Sequence, residues 1–138
     1  MKTYFLLAAL LIPTLSIAGM RPPVLIEKCY IGYIKPSYIV SEARIKFNAE
    51  IYIRDSNNKP VVGAEVHGAW RDKKDIVTDG KCVTDDGGKC SIPHVVRAGF
   101  GEKITLLPQR GIRIIGVVCK DMQYTYTENS TFAWATHN

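Results

Sequence analysis

The chain has 138 residues, 46% hydrophobic, with 18 basic and 13 acidic side chains and a formal net charge of +5. That length suits one domain around one core. The basic residues are interleaved with acids, as in Arg71-Asp72-Lys73-Lys74-Asp75, so the charge reads as dispersed and nucleic acid is not an expected partner.

Residues 1–18 read as a signal peptide. Lys2 supplies the positive end, Tyr4 to Ile12 is an unbroken apolar run, and Ser16-Ile17-Ala18 offers small residues for cleavage after Ala18. The run is well short of the ~20 residues that a membrane-crossing helix needs, so no transmembrane anchor is expected. Residues 19–43 form an N-terminal extension holding a first strand around Val24 to Ile34, bounded by Pro22-Pro23 and Pro36. The main domain spans 44–138.

The clearest periodicity lies between Arg44 and Arg54. Ile45, Phe47, Ala49, Ile51 and Ile53 alternate with Lys46, Asn48, Glu50, Tyr52 and Arg54, which predicts a strand with one buried and one wet face, hence an antiparallel sheet. Asp55-Ser56-Asn57-Asn58-Lys59-Pro60 ends it as a turn. In the next strand Ala64, Val66, Gly68 and Trp70 share a face, and Gly68 leaves a gap for an aromatic such as Trp70 or a facing ring. After Ile76-Val77-Thr78, residues 81–92 read as a hairpin about Asp85-Asp86-Gly87-Gly88. That hairpin places Cys82 opposite Cys90, within disulfide reach after modest adjustment.

Cys29 and Cys119 remain, flanked by Leu25-Ile26 and Val117-Val118. With all four cysteines beyond residue 18, an oxidising compartment favours a second bridge between them. Further strands are expected at Ile104 to Leu107, Ile112 to Cys119, Gln123 to Thr127 and around Phe132 and Trp134, the last two and Trp70 filling the core. About seven short strands with no helical period predict an all-β fold.

From Ala49 to Asn129 the chain resembles the bacterial immunoglobulin-like sandwiches appended to secreted peptidases and found in invasin-type adhesins. The matching pieces run from Ile53 through Asp55, Asn57, Pro60, Val61, Gly63, Ala64 and Val66 to Gly68-Ala69-Trp70. Cys82-Val83-Thr84-Asp85-Asp86-Gly87-Gly88-Lys89-Cys90 follows, and Tyr124-Thr125-Tyr126 with Asn129 closes the match. The resemblance implies a disulfide-stapled immunoglobulin-like antiparallel β-sandwich, of a kind that binds, spaces or presents rather than catalyses. It transfers no functional residues, because such folds host many functions.

Candidate chemistry is sparse. His67, His94 and His137 are scattered, Asp85 and Asp86 lack the alternating oxygens of a calcium loop, and no nucleophile elbow is present. Neither metal nor other cofactor is expected, nor an enzyme. Asn129-Ser130-Thr131 is a glycosylation sequon, meaningful only in a eukaryotic source. Tyr52, on the wet face of its strand, is the one candidate ligand contact. The leading expectation is a secreted or periplasmic non-catalytic module binding another protein through loops at one sandwich end or an edge strand. Glycan binding is the alternative, and a small secreted inhibitor or hydrolase the third.

Overall fold

The computed structural model describes residues 26–97, 108–125 and 131–138. The expectations for the signal peptide, for a strand at 104–107, for Tyr126 and for the Asn129 sequon fall outside the described residues. Nine strands are described: β1 (Lys28–Ser41), β2 (Arg44–Asp55), β3 (Glu65–Arg71), β4 (Ile76–Val83), β5 (Lys89–Arg97), β6 (Gly111–Val118), β7 (Gln123–Tyr124), β8 (Phe132–Trp134) and β9 (Thr136–His137). They form two sheets, one ordered β5-β2-β1-β7 with β9 also on β1, the other β4-β3-β6-β8. Pairing is antiparallel except where β7 and β9 join β1. The count exceeds the expected seven because β7, β8 and β9 hold only two or three residues each.

The core lies between the sheets. Ile45, Ala49, Ile51 and Ile53 are fully buried and Phe47 nearly so, facing Val66, Trp70 and Ile112. Burial of that many branched side chains, at ~1.5–3 kcal/mol each, is the main stabilising term. The space left by Gly68 is taken by aliphatics, not by an aromatic: a β-carbon there would lie 2.9 Å from Ile92 Cδ1 and 3.1 Å from Ile112 Cδ1. Trp70 is buried as expected, but Trp134 is 44% exposed, and Phe132 is only half-buried. β8 carries both rings to the outer side of its sheet, where Phe132 packs over Gly111 and meets Trp134 edge-on at 5.0 Å.

Pro36 was expected to bound the first strand, yet β1 runs through it. The Asn138 N–H donates to the Tyr38 carbonyl at 3.1 Å, so the Tyr38 backbone points away from β2. By period two, so does that of Pro36. Its missing donor therefore costs no bond to β2.

Residues 81–92 also depart from a simple hairpin. The turn itself is tight: Asp85 Oδ1 accepts the Gly87 and Lys89 N–H groups at 2.9 and 3.1 Å, and Gly88 takes the required positive φ of 72°. Beyond it the arms separate into different sheets. Cys82 lies in register with Val66 of β3, and Cys90 with Ile51 of β2. Each arm finds a longer partner in its own sheet than in the other arm, so the Cys82–Cys90 disulfide crosses between sheets (Cα–Cα 5.7 Å). Cys29–Cys119 also joins β1 to the end of β6 (Cα–Cα 6.6 Å). Both bridges lie towards the end where β2 stops and β3 begins.

Buried Thr84 ties this end further. Its hydroxyl donates to the Val61 carbonyl at 2.6 Å and accepts the Ala64 N–H at 2.8 Å. Thr84→Val leaves both groups unsatisfied and is expected to cost roughly 2–4 kcal/mol in urea unfolding. Chain entropy gives the bridges unequal weight. With sequence separations of 90 and 8, replacing the Cys29–Cys119 pair by alanine should cost about 4–5 kcal/mol and the Cys82–Cys90 pair about 2–3 kcal/mol. Urea unfolding of the two double variants should therefore rank Cys29–Cys119 as the more damaging loss.

Candidate functional site on the outer face of the five-stranded sheet

The inward side of β1, β2 and β5 is apolar apart from His94, so period two fixes what the outward side presents. The register places Lys89, Tyr52 and Tyr33 in one row across the three strands, then Ser91, Glu50 and Lys35, then Pro93, Asn48 and Ser37. Val95, Lys46 and Ile39 follow, and Arg97, Arg44 and Ser41 end the face. Tyr30 opposes Arg54 at the other end.

The tyrosines share this face because of one glycine. Tyr30 and Tyr33 are three residues apart and would point to opposite sides of a regular strand. The register shifts between Ile31 and Tyr33, and this bulge at Gly32 restores the second tyrosine to the outside. A β-carbon on Gly32 would collide with the Tyr52 ring, lying 2.8 Å from Cε1 and nearer still to Cδ1. The Tyr33 and Tyr52 rings lie 5.3 Å apart, tilted by 30°. Tyr52 thus sits where the alternation predicted. Tyr33 was missed as its neighbour, although Gly32 beside it was a readable bulge signal.

The polar groups are tied to each other. The Tyr33 hydroxyl donates to Glu50 Oε1 at 2.7 Å, Lys35 Nζ lies 4.4 Å from the Tyr33 ring centre, and Arg54 lies 4.9 Å from that of Tyr30. Asn48 Nδ2 donates to Ser91 Oγ at 3.4 Å. Burial, then the bond to Glu50, raises the Tyr33 pKa above the usual phenol value, so the hydroxyl stays a donor. The Lys89 ammonium is held above the usual lysine range by Tyr33 first and by Glu50 more weakly.

The charge is not dispersed, contrary to the linear pattern. Among the described residues, Lys35, Arg44, Lys46, Arg54, Lys89 and Arg97 lie on this face and Glu50 is its one acid. The described residues hold 15 basic and 11 acidic side chains, so nine basic and ten acidic ones remain outside this set and the face carries the basic excess. Linear interleaving misled because pairing gathers side chains from three separate segments while most of the described acids go to turns and to the other sheet. Arg44 directly opposes Arg97, a destabilising juxtaposition.

A groove of about 570 Å³ borders the face along β1, lined by Lys35, Ser37, Asn48 and Glu50 and, across from them, by Trp134, Thr136 and Asn138. Its volume is that of a small-ligand site, and its lining offers amides, hydroxyls, one carboxylate, one ammonium and an indole. Among the described residues no group of three or more His, Cys, Asp or Glu is placed to hold a metal ion. No helix of the described residues is long and apolar enough to cross a membrane. The three histidines stay apart: His67 accompanies Glu65 at 2.6 Å, His137 meets Tyr38 edge-on, and His94 faces inward between Phe47 and Trp70. No known family model matches the chain, and no curated protein does.

The inward placement of His94 has a measurable consequence. Burial first, and the nearby Arg110 charge second, lower its pKa below the usual 6.5. Below that value the unfolded chain takes up a proton that the folded chain resists, so stability is complete above about pH 6.5 and declines as pH falls through the lowered folded value. The urea midpoint should drop between pH 7 and 5.5, and His94→Phe should flatten that slope. An equal slope in both proteins would assign the proton elsewhere.

Proposed function

We propose that the chain is an exported, non-catalytic binding module of the immunoglobulin-like class, and that its contact surface is the outer face of the five-stranded sheet with the adjoining groove. Export is supported by the apolar leader and by two disulfides of the kind that persist in oxidising compartments. The immunoglobulin-like reading is supported by the two-sheet architecture together with the sequence elements around Pro60 to Trp70 and Cys82 to Cys90.

The observation that carries the binding surface is the Tyr33–Tyr52 pair, held open by Gly32 and hydrogen-bonded to Glu50. Aromatic rings with a polar tip supply contact area at low entropic cost. The face and groove favour a glycan: the rings offer flat apolar area, while Asn48, Glu50, Thr136 and Asn138 offer hydrogen bonds to hydroxyls. A protein partner is the second reading, favoured by Tyr30 with Arg54 at the rim, two residue types that recur among binding hot spots.

Tyr52→Ala is expected to weaken glycan binding about tenfold or more while shifting the urea midpoint little, since its ring lies outside the core. Titration of a glycan array hit with both proteins checks this. Unchanged affinity would remove the tyrosine pair from the site, and a blank array with a captured protein would favour the second reading.

A further inference from the structure

Among the described residues the basic excess sits on one three-stranded strip, and this restricts what can bind there. From Arg44 to Arg54, β2 rises roughly 34 Å, and the axes of β1 and β5 on either side of it lie ~10 Å apart. Six cations spread along that length with Arg44 and Arg97 at one end, Lys46 and Lys35 between, and Lys89 and Arg54 at the other. Among the described residues none of the six is in an ion pair, whereas His67 and Glu65 pair on the opposite sheet. The Arg44–Arg97 opposition is unfavourable in the free protein and is relieved by an anion laid across it.

Resting on the binding reading above, we propose that the ligand is a linear anionic polysaccharide, of the uronic acid class, lying along β2. A compact anion would engage one or two of these cations and leave the others unused. A globular acidic partner buries about 800 Å² on each side and would cover the groove and the uncharged rims as well, whereas the cations keep to a strip roughly 15 Å wide with its side chains. An extended polymer bearing a carboxylate on each repeat fits both the length and the spacing of the charges. Tyr33 and Tyr52 lie within the same strip and give its sugar rings a flat apolar support. Single-stranded nucleic acid shares the charge and the stacking, but the two disulfides favour an oxidising compartment, where such a polymer is not the prevailing polyanion.

The test uses the processed protein and four probes: polygalacturonate, its methyl-esterified neutral form, poly-L-glutamate and an oligothymidylate. Polygalacturonate should bind at least ~10-fold more tightly than each of the others, and its affinity should fall by about 10-fold or more between 50 and 300 mM salt through counterion release. Arg44→Glu with Lys46→Glu should weaken it ~10-fold or more, while Lys81→Glu with Lys120→Glu, away from this face, should leave it within about twofold. Equal binding of the neutral form would overturn the charge inference and leave the glycan reading standing. Tighter binding of poly-L-glutamate or of the oligothymidylate would overturn it in favour of an acidic protein or a nucleic acid. Binding of none of the four would overturn the inference, and a glycan array that is also blank would remove the glycan reading with it.

Discussion

The strict alternation of β2 is the constraint on which the rest depends. It is paired along most of its length on both sides, by β1 and by β5, and its odd-numbered residues from Ile45 to Ile53 are buried to the last atom or nearly so. A slip of one residue would turn five apolar side chains outward and drive Lys46, Glu50 and Arg54 into the core. No compensating gain offsets an error of that size, so β2 dictates the parity of its neighbours. The composition of the wet face follows from the composition of the dry one.

Devices at the ends of the strands hold this register. Asp55 and Asp85 build nearly the same turn: each carboxylate accepts N–H groups two and four residues on, and each has a positive φ at the fourth position, Asn58 and Gly88. Each is followed by a lysine, Lys59 and Lys89, whose backbone carbonyl accepts the aspartate's own N–H. The second of these turns differs in consequence because its arms enter separate sheets. Thr84 and two disulfides then fasten the sheets at that end. The basic strip extends from this fastened end towards the Ser41–Arg44 hairpin, so the proposed binding surface lies on a braced sheet and not on a loop.

The alternation from Arg44 to Arg54 was legible because its signal is local, and so was Cys82 with Cys90, whose separation is short. Several features were not local. Whether Pro36 ends a strand depends on which way its nitrogen points relative to β2. Whether residues 81–92 stay together as a hairpin depends on how β2 and β3 compete for the two arms. Trp134 reads as a core residue by hydrophobicity, but its short strand pairs with Gly111 on the outer side of its sheet. The gathered charge was the least legible of all, since Lys35, Lys46 and Lys89 are neighbours only through strand pairing.

The central claim is that the ligand lies over the wet side of β2. Acetylation footprinting of lysine amines, with and without polygalacturonate, reads that side directly. The account predicts that Lys35, Lys46 and Lys89 are shielded by the polymer while Lys81 and Lys120 react at unchanged rates. Shielding of Lys81 and Lys120 with Lys35, Lys46 and Lys89 left reactive would contradict it.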